Sequence, residues 1–118
     1  MTKKGILITG GSGLVGAYAT QMLLERGERP VIFDVALNER LLGAVGVDTS
    51  KVTLIRGDMA DMPALISAIR ENDCDQIIHL AAFLGEEVQR RPYSGVRLNF
   101  MGTINVFEAA RLQNVRRV

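Results

Sequence analysis

Residues 6–16 read Ile6-Leu7-Ile8-Thr9-Gly10-Gly11-Ser12-Gly13-Leu14-Val15-Gly16. A short apolar run stops at a glycine cluster, as a buried strand does where the chain must turn sharply. From Leu14 to Arg26 the period changes, and Val15, Tyr18, Ala19 and Met22 fall on one helical stripe. Gly27 then suits the helix C-terminus, and Pro30 prevents continuation. The stretch therefore predicts strand, tight turn and helix in that order.

Two glycine spacings overlap in the turn. Gly11, Gly13 and Gly16 fit G-x-G-x-x-G, while Gly10, Gly13 and Gly16 fit G-x-x-G-x-x-G. Either frame meets the same needs: a turn, a backbone open to a pyrophosphate, and a helix packed close on a strand. The unpaired N–H groups of the first helical turn, around Leu14 and Val15, would face the phosphates with the helix dipole behind them. Glycine-rich loops are common, and a surface loop with nothing bound is the plain alternative. The position of this one, between a buried strand and an amphipathic helix, favours the phosphate site.

Further along, Val31-Ile32-Phe33 forms a second buried run and ends in Asp34, 18 positions beyond Gly16. A carboxylate there reaches the adenosine ribose hydroxyls of a dinucleotide. It would repel a 2′-phosphate by several kcal/mol at about 4 Å with an effective dielectric near 20. NAD is thus expected in preference to NADP, with Arg40 the nearby cation that softens the repulsion.

The remainder continues the alternation. Asn38 to Val45 reads as a short helix and Val52-Thr53-Leu54-Ile55 as strand three. Asp61 caps the next helix, with Pro63 in its first turn and Leu65, Ile66 and Ile69 facing inward. Ile77-Ile78-His79-Leu80 is strand four, and Gly85 to Pro92 a polar loop. The longest helix runs from about Ser94 to Gln113, where Val96, Phe100, Thr103, Phe107 and Ala110 recur at intervals of three and four. Asn99, Gly102, Val106 and Ala109 form a flatter neighbouring face suited to close approach on a sheet. Four buried strands alternating with helices demand parallel pairing and right-handed crossovers. The expected fold is α/β, a Rossmann-type doubly wound sheet of order 3-2-1-4.

Bulk properties agree. The 118 residues suit one domain, and 47% hydrophobic with 23% charged residues is an ordinary globular balance. A net charge of +1, with only short clusters such as Arg90-Arg91 and Arg116-Arg117, gives nucleic acid no electrostatic footing. Solitary Cys74 makes neither an internal disulfide nor a metal site, which fits a reducing cytoplasm. Lys3 and Lys4 before an uncharged stretch imitate an export signal, but only Gly5-Ile6-Leu7-Ile8 is continuously apolar, too short for a signal core or a membrane span.

Thr9 to Gly16, Asp34, Gly57-Asp58-Met59, His79-Leu80-Ala81-Ala82 and Asn99-Phe100-Met101-Gly102-Thr103-Ile104-Asn105-Val106 together resemble the extended short-chain dehydrogenases/reductases, the NAD-dependent epimerase/dehydratase group. The resemblance covers essentially the whole chain. It implies that Asp58 accepts from the adenine amino group and that Met59 packs on the ring edge. It also implies that Leu80, Ala81 and Ala82 line the pyrophosphate and the nicotinamide-side ribose. Asn99 would support that turn and the cofactor. Each has a plainer reading: Asp58 capping a turn, Asn99 an ordinary polar helix position. His79 is expected to pack or hydrogen-bond inside the core rather than act as an acid or base.

The family's chemistry implies a Tyr-x-x-x-Lys pair with a Ser or Thr after strand five. Neither tyrosine here fits: Met22 stands four places after Tyr18, and Arg97 four places after Tyr93. Arginine is not interchangeable with lysine in that role, and Tyr93 precedes the long helix, so the pair reads as coincidence. No catalytic residue is assigned. Asn114 to Val118 looks like the entry to strand five, so residues 1–118 are expected to be the N-terminal, NAD-binding portion of a truncated enzyme, inactive alone. A stand-alone nucleotide-binding or sensing module is the second reading; a flavodoxin-like domain leaves the glycines and Asp34 unexplained. Strand four, with Ile77, Ile78 and Leu80, would form an exposed edge that favours self-association.

Overall fold

A computed structural model describes residues 3–118. Its centre is a parallel sheet of four strands: β1 (Gly5–Thr9), β2 (Arg29–Asp34), β3 (Thr53–Arg56) and β4 (Cys74–His79), in the order β3-β2-β1-β4. The expected topology is the one observed. β1 lies between two neighbours, with Leu7 opposite Val31 on one side and Ile77 on the other. All five of its residues are buried, which is why its sequence is a continuous apolar run instead of an alternating one.

Helices α1 (Leu14–Glu25) and α2 (Glu39–Val45) cover one face of the sheet. There Ala17 and Leu42 pack with Ile32 and Val47. Helix α3 (Met62–Glu71) covers the other face together with α6 (Gly102–Leu112), where Leu65, Ala68, Ile69, Val106 and Ala109 pack on Leu7, Val31 and Phe33. Alternation along β2 thus divides one strand between two cores, and each fully buried large side chain contributes about 1.5–3 kcal/mol.

Local signals set the ends of these helices. Asn38 accepts from the Leu41 amide at the start of α2, and Asp61 from the Ala64 amide at the start of α3. Past α1, Gly27 takes φ +72° while Glu28 donates back to the Leu23 carbonyl, closing the helix with a left-handed cap.

The outer faces differ from expectation. Val15, Tyr18 and Met22 on α1 are exposed, and the helix buries Gly16, Ala17 and Thr20 instead. On the long helix Val96, Phe100 and Phe107 are exposed, while Gly102, Val106 and Ala109, the flatter face expected to approach the sheet, are buried with Ala110. Small residues allow the helix axes to approach the sheet, and closeness of approach outweighs bulk. The segment read as a polar loop contains a short helix, α4 (Glu86–Arg90), carrying ion pairs Glu86–Arg90 at 2.7 Å and Glu87–Arg91 at 3.2 Å. The long helix begins at α5 (Pro92–Val96) and joins α6 through a π turn over Arg97–Met101.

Beyond α6 the chain reaches β4. Arg116 donates its amide to the Asp75 carbonyl, and Ile77 donates to the Arg117 carbonyl, each within 3.0 Å. Gln76 and Arg117 form a parallel bridge. The edge expected to be bare is thereby partly covered, while the Ile77 side chain is buried in the core on the sheet face. The ion pair of Arg116 with Asp75 at 2.8 Å reinforces this docking.

Cys74 opens β4 and is buried, and loss of solvent pushes its thiol up to about 11. Since the thiolate is the reactive form, iodoacetamide at pH 8 should label the native protein far more slowly than the protein in denaturant. Equal rates would contradict the burial.

Candidate functional site

A cavity of about 400 Å³ opens at the carboxyl ends of the strands, where β1 and β4 diverge toward opposite crossovers. That is the place where parallel α/β sheets offer a crevice. Its wall is made by Gly10, Gly13, Leu14, Val15 and Gly16 from the first turn, Asp34 from the end of β2, Asp58 and Met59 from the loop after β3, and Leu80, Ala81 and Ala82 after β4. Of the residues expected to hold the cofactor, Asn99 is not in this wall, nor is Gly11 of the alternative glycine frame. Phe33, Val35, Gly57, Phe83, Leu84 and Leu98 complete the lining and were not singled out for it.

The first turn is built by two glycines in different ways. Gly10 takes φ +68°, and a Cβ there would stand 2.8 Å from the Ala81 nitrogen. Gly16 has ordinary helical placement, but its Cβ would meet the Gly10 carbonyl oxygen and the Gly11 Cα, each at 2.6 Å. Gly10 thus makes the turn and Gly16 lets α1 lie on it, which selects the frame Gly10, Gly13, Gly16. Gly11 has a separate duty, since a Cβ on it would strike Ile32 at 2.9 Å. Gly13 is the residue preceding α1, no side chain caps that end, and the first turn of the helix holds no acidic group. The open amides and the positive end of the helix dipole therefore stay available to an anion.

Asp34 is held from an unanticipated direction. Ser12, almost fully buried, donates its amide to Asp34 Oδ2 at 3.2 Å, and its single hydroxyl hydrogen is shared between that oxygen at 2.9 Å and the Ala36 carbonyl at 2.7 Å. Ser12 was visible only as a loop residue, and nothing in the sequence marks it as the partner of a carboxylate 22 positions away. A second feature concerns charge: besides Arg40, the cation expected near Asp34, the sheet pairs Arg56 in register with Asp34 across β2 and β3. Sheet pairing brings together what sequence distance conceals.

The other candidates take mixed positions. Asp58 Oδ1 accepts from the Ala60 amide at 2.9 Å, so this carboxylate caps its own loop while lining the cavity. Met59 is buried in the core, against the notch left by Gly102, where a Cβ would meet its Cγ at 2.8 Å. Asn99 lies behind the wall. Its amide donates to the Phe83 carbonyl at 2.9 Å and its oxygen accepts from the Phe83 amide at 2.8 Å, clamping the segment that follows Ala82. Asn99 sits within the π turn, a helix irregularity that recurs at functional sites.

Tyr93 is 82% exposed and lies with Arg97 on a separate apolar depression, away from this cavity. His79 has both ring nitrogens engaged by threonines, at 2.7 Å from Thr9 and 3.0 Å from Thr103, and burial lowers its pKa. The expectation of a hydrogen-bonded interior histidine agrees with that geometry.

The family described as GDP-mannose 4,6 dehydratase matches residues 7–118. The chain belongs to that family. This member of the GDP-mannose 4,6 dehydratase family is 34% identical over 116 residues to UDP-glucose 4-epimerase uge1 of Schizosaccharomyces pombe, covering 94% of this chain and 32% of the relative. It is 28% identical over 111 residues to D-erythronate dehydrogenase of Cupriavidus necator, covering 90% of this chain and 34% of the relative. Among solved structures, the UDP-glucose 4-epimerase of Thermus thermophilus in complex with NAD superposes with a TM-score of 0.82 at 27% identity. That match covers 94% of this chain and 35% of the other. The dehydratase-family chain thus spans about a third of the length of these relatives, and it shares their extended short-chain dehydrogenase/reductase fold.

The glycine geometry makes a graded prediction. Gly16→Ala forces backbone against backbone, and with no flexible side chain to yield it should cost on the order of 1–3 kcal/mol in urea unfolding. Gly13→Ala, whose nearest obstacle is the Gly10 oxygen at 3.4 Å, should cost clearly less. The reverse ranking would contradict the packing of α1 on the turn.

Proposed function

We propose that this chain binds NAD as the N-terminal, cofactor-binding portion of an NAD-dependent epimerase, dehydratase or dehydrogenase, acting on a sugar nucleotide or a similar hydroxyl-bearing substrate. One observation carries the reading. The uncapped start of α1 and the carboxylate of Asp34 border the same cavity at the carboxyl ends of the strands. A pyrophosphate requires the first and an adenosine ribose the second.

The residues present fit the cofactor. Gly10, Gly13 and Gly16 leave the backbone bare, and the Leu14 and Val15 amides belong to the first helical turn. Asp34, held at one oxygen by Ser12, receives the ribose hydroxyls. Asp58 meets the adenine amino group, and Met59 backs the ring from the core. Leu80, Ala81 and Ala82 border the nicotinamide-side ribose, with Asn99 bracing the segment behind them. NAD, when bound, supplies hydride exchange with the carbon bearing a substrate hydroxyl. This chain's own residues bind and orient; none provides the tyrosine–lysine proton transfer. Residues 1–118 alone should therefore bind NAD weakly without turnover.

The related proteins named above include an NAD complex of a UDP-glucose epimerase and a sugar-acid dehydrogenase, which supports the cofactor and a hydroxyl-bearing substrate. Among the described residues no helix is long and apolar enough to cross a membrane. A single buried thiol suits the reducing cytoplasm. Self-association belongs to the same reading: past Ile77, β4 still offers the half-buried Ile78 and the end of the strand at His79 as an edge.

Calorimetric titration tests the binding. NAD should bind more tightly than NADP, and Asp34→Ala should weaken NAD by roughly tenfold or more, from the 1.5–3 kcal/mol of a charged hydrogen bond. Equal affinity of the unmutated protein for both cofactors would falsify the selectivity, and binding of neither would remove the site. Light scattering should show a dimer at high concentration; a monomer there argues against cover of the β4 edge by a second copy.

A further inference from the structure

The one histidine of the chain ends β4 with its ring between two hydroxyls from different elements. On one side, Thr103 donates its hydroxyl hydrogen to the Asn99 carbonyl at 2.6 Å. Its oxygen therefore faces the ring as an acceptor, and His79 Nε2, 3.0 Å away, carries a hydrogen. On the other side, Thr9 Oγ1 accepts from the amides of Leu80 at 3.1 Å and Ala81 at 3.3 Å. A hydroxyl has two lone pairs and one hydrogen. With both pairs taken, the hydrogen of Thr9 points at His79 Nδ1, 2.7 Å away, which must present a bare lone pair. Both ends of the ring require the same state.

We propose that His79, as the neutral Nε2–H tautomer, is a positioning residue: it holds the Thr9 hydroxyl as an acceptor and so fixes the Leu80–Ala81 wall of the cavity. This inference rests on the reading of that cavity as the dinucleotide site. The lever is short. Gly10 follows Thr9, and a Cβ on Gly10 would stand 2.9 Å from the Ala81 Cα, so the turn after β1 and the turn after β4 touch backbone to backbone. Leu80 has a second acceptor in the Thr9 carbonyl at 3.0 Å, which leaves Ala81 as the amide that depends on the hydroxyl. A ring protonated at Nδ1 would bring a third donor to the Thr9 oxygen and leave the hydroxyl hydrogen unmatched. The chain of bonds continues through Thr103 into α6, next to the Asn99 clamp on Phe83. Helix, strand and cavity wall are thereby set against one another.

A single histidine makes the test direct. Long-range ¹⁵N–¹H spectra of the unmutated protein at neutral pH should place the proton on Nε2 and none on Nδ1. His79→Asn keeps an acceptor oxygen close to the Nδ1 position and should hold NAD affinity within about threefold, whereas His79→Leu should lose about tenfold or more. Should the leucine variant not fold, Thr9→Val removes the hydroxyl with little change of shape and should show the same loss. Amide exchange at Ala81 should accelerate in both variants. A proton on Nδ1 overturns the proposal, as does unchanged NAD affinity together with unchanged Ala81 exchange in the leucine and valine variants. If the unmutated protein shows the expected tautomer but takes no NAD, the reading of the cavity fails. Exchange at Ala81 in the Thr9→Val protein then decides the hydrogen-bond relay on its own.

Discussion

Backbone lies against backbone where α1 begins, and the rest of the site depends on that contact. The Gly16 Cα has room over Gly10 and Gly11 only because no side chain intervenes. With the helix seated there, its first amides open onto the carboxyl end of the central strand. β1 pairs on both sides, so the seat rests on an interior strand of the sheet. Any lateral shift of α1 would be felt by β2 through Ala17 and Ile32, which share a core. Interiors packed at crystal-like density transmit such shifts instead of absorbing them.

Around this seat the loops are held by side chains borrowed from elsewhere. Ser12 binds Asp34, Thr9 reaches the amides after β4, and Asn99 grips Phe83 with both ends of its amide. In each case a group on one element satisfies polar atoms on another, at a sheet end where water is partly excluded and unpaired atoms are costly. Asn105 does likewise, donating to the Met59 carbonyl at 3.0 Å. Apart from Asp34 and Asp58 the cavity is bordered by apolar side chains and bare backbone, yet its shape is set by polar contacts behind the wall. The π turn belongs to this arrangement, because it is the stretch of helix that carries Asn99 into reach of the loop.

Sheet order, helix boundaries and the identity of most wall residues were legible in the sequence because their causes are local. A glycine cluster after an apolar run, Asn38 and Asp61 at helix starts, and Gly27 at a helix end each act within a few residues. The orientation of α1 was not legible. Val15, Tyr18 and Met22 form the more apolar stripe of α1, yet Gly16, Ala17 and Thr20 face the sheet, since a close-packed helix buries its smallest side chains. On the long helix the flatter face of Gly102, Val106 and Ala109 was legible as the side toward the sheet, and Phe100 and Phe107 lie outside it. Contacts fixed only by the completed sheet were equally hidden. Arg56 beside Asp34 and Ser12 beneath it are neighbours by folding, not by position in the chain. Glu86 to Arg91 looked like solvated loop because a helix of that length draws its support from paired charges, which composition alone does not reveal.

The short tail laid along β4 has a thermodynamic meaning. Joining Gln76 to Arg117 closes a long excursion through α6, and the entropy of that closure, which grows only slowly with length, is met by a bridge, two backbone bonds and the Asp75–Arg116 pair. Once the first rung is in place, the alignment of anything that extends it is already decided. Each added residue would then gain its rung without a fresh search. The outer margin of β4 is thus a primed template whose register was chosen by Arg117.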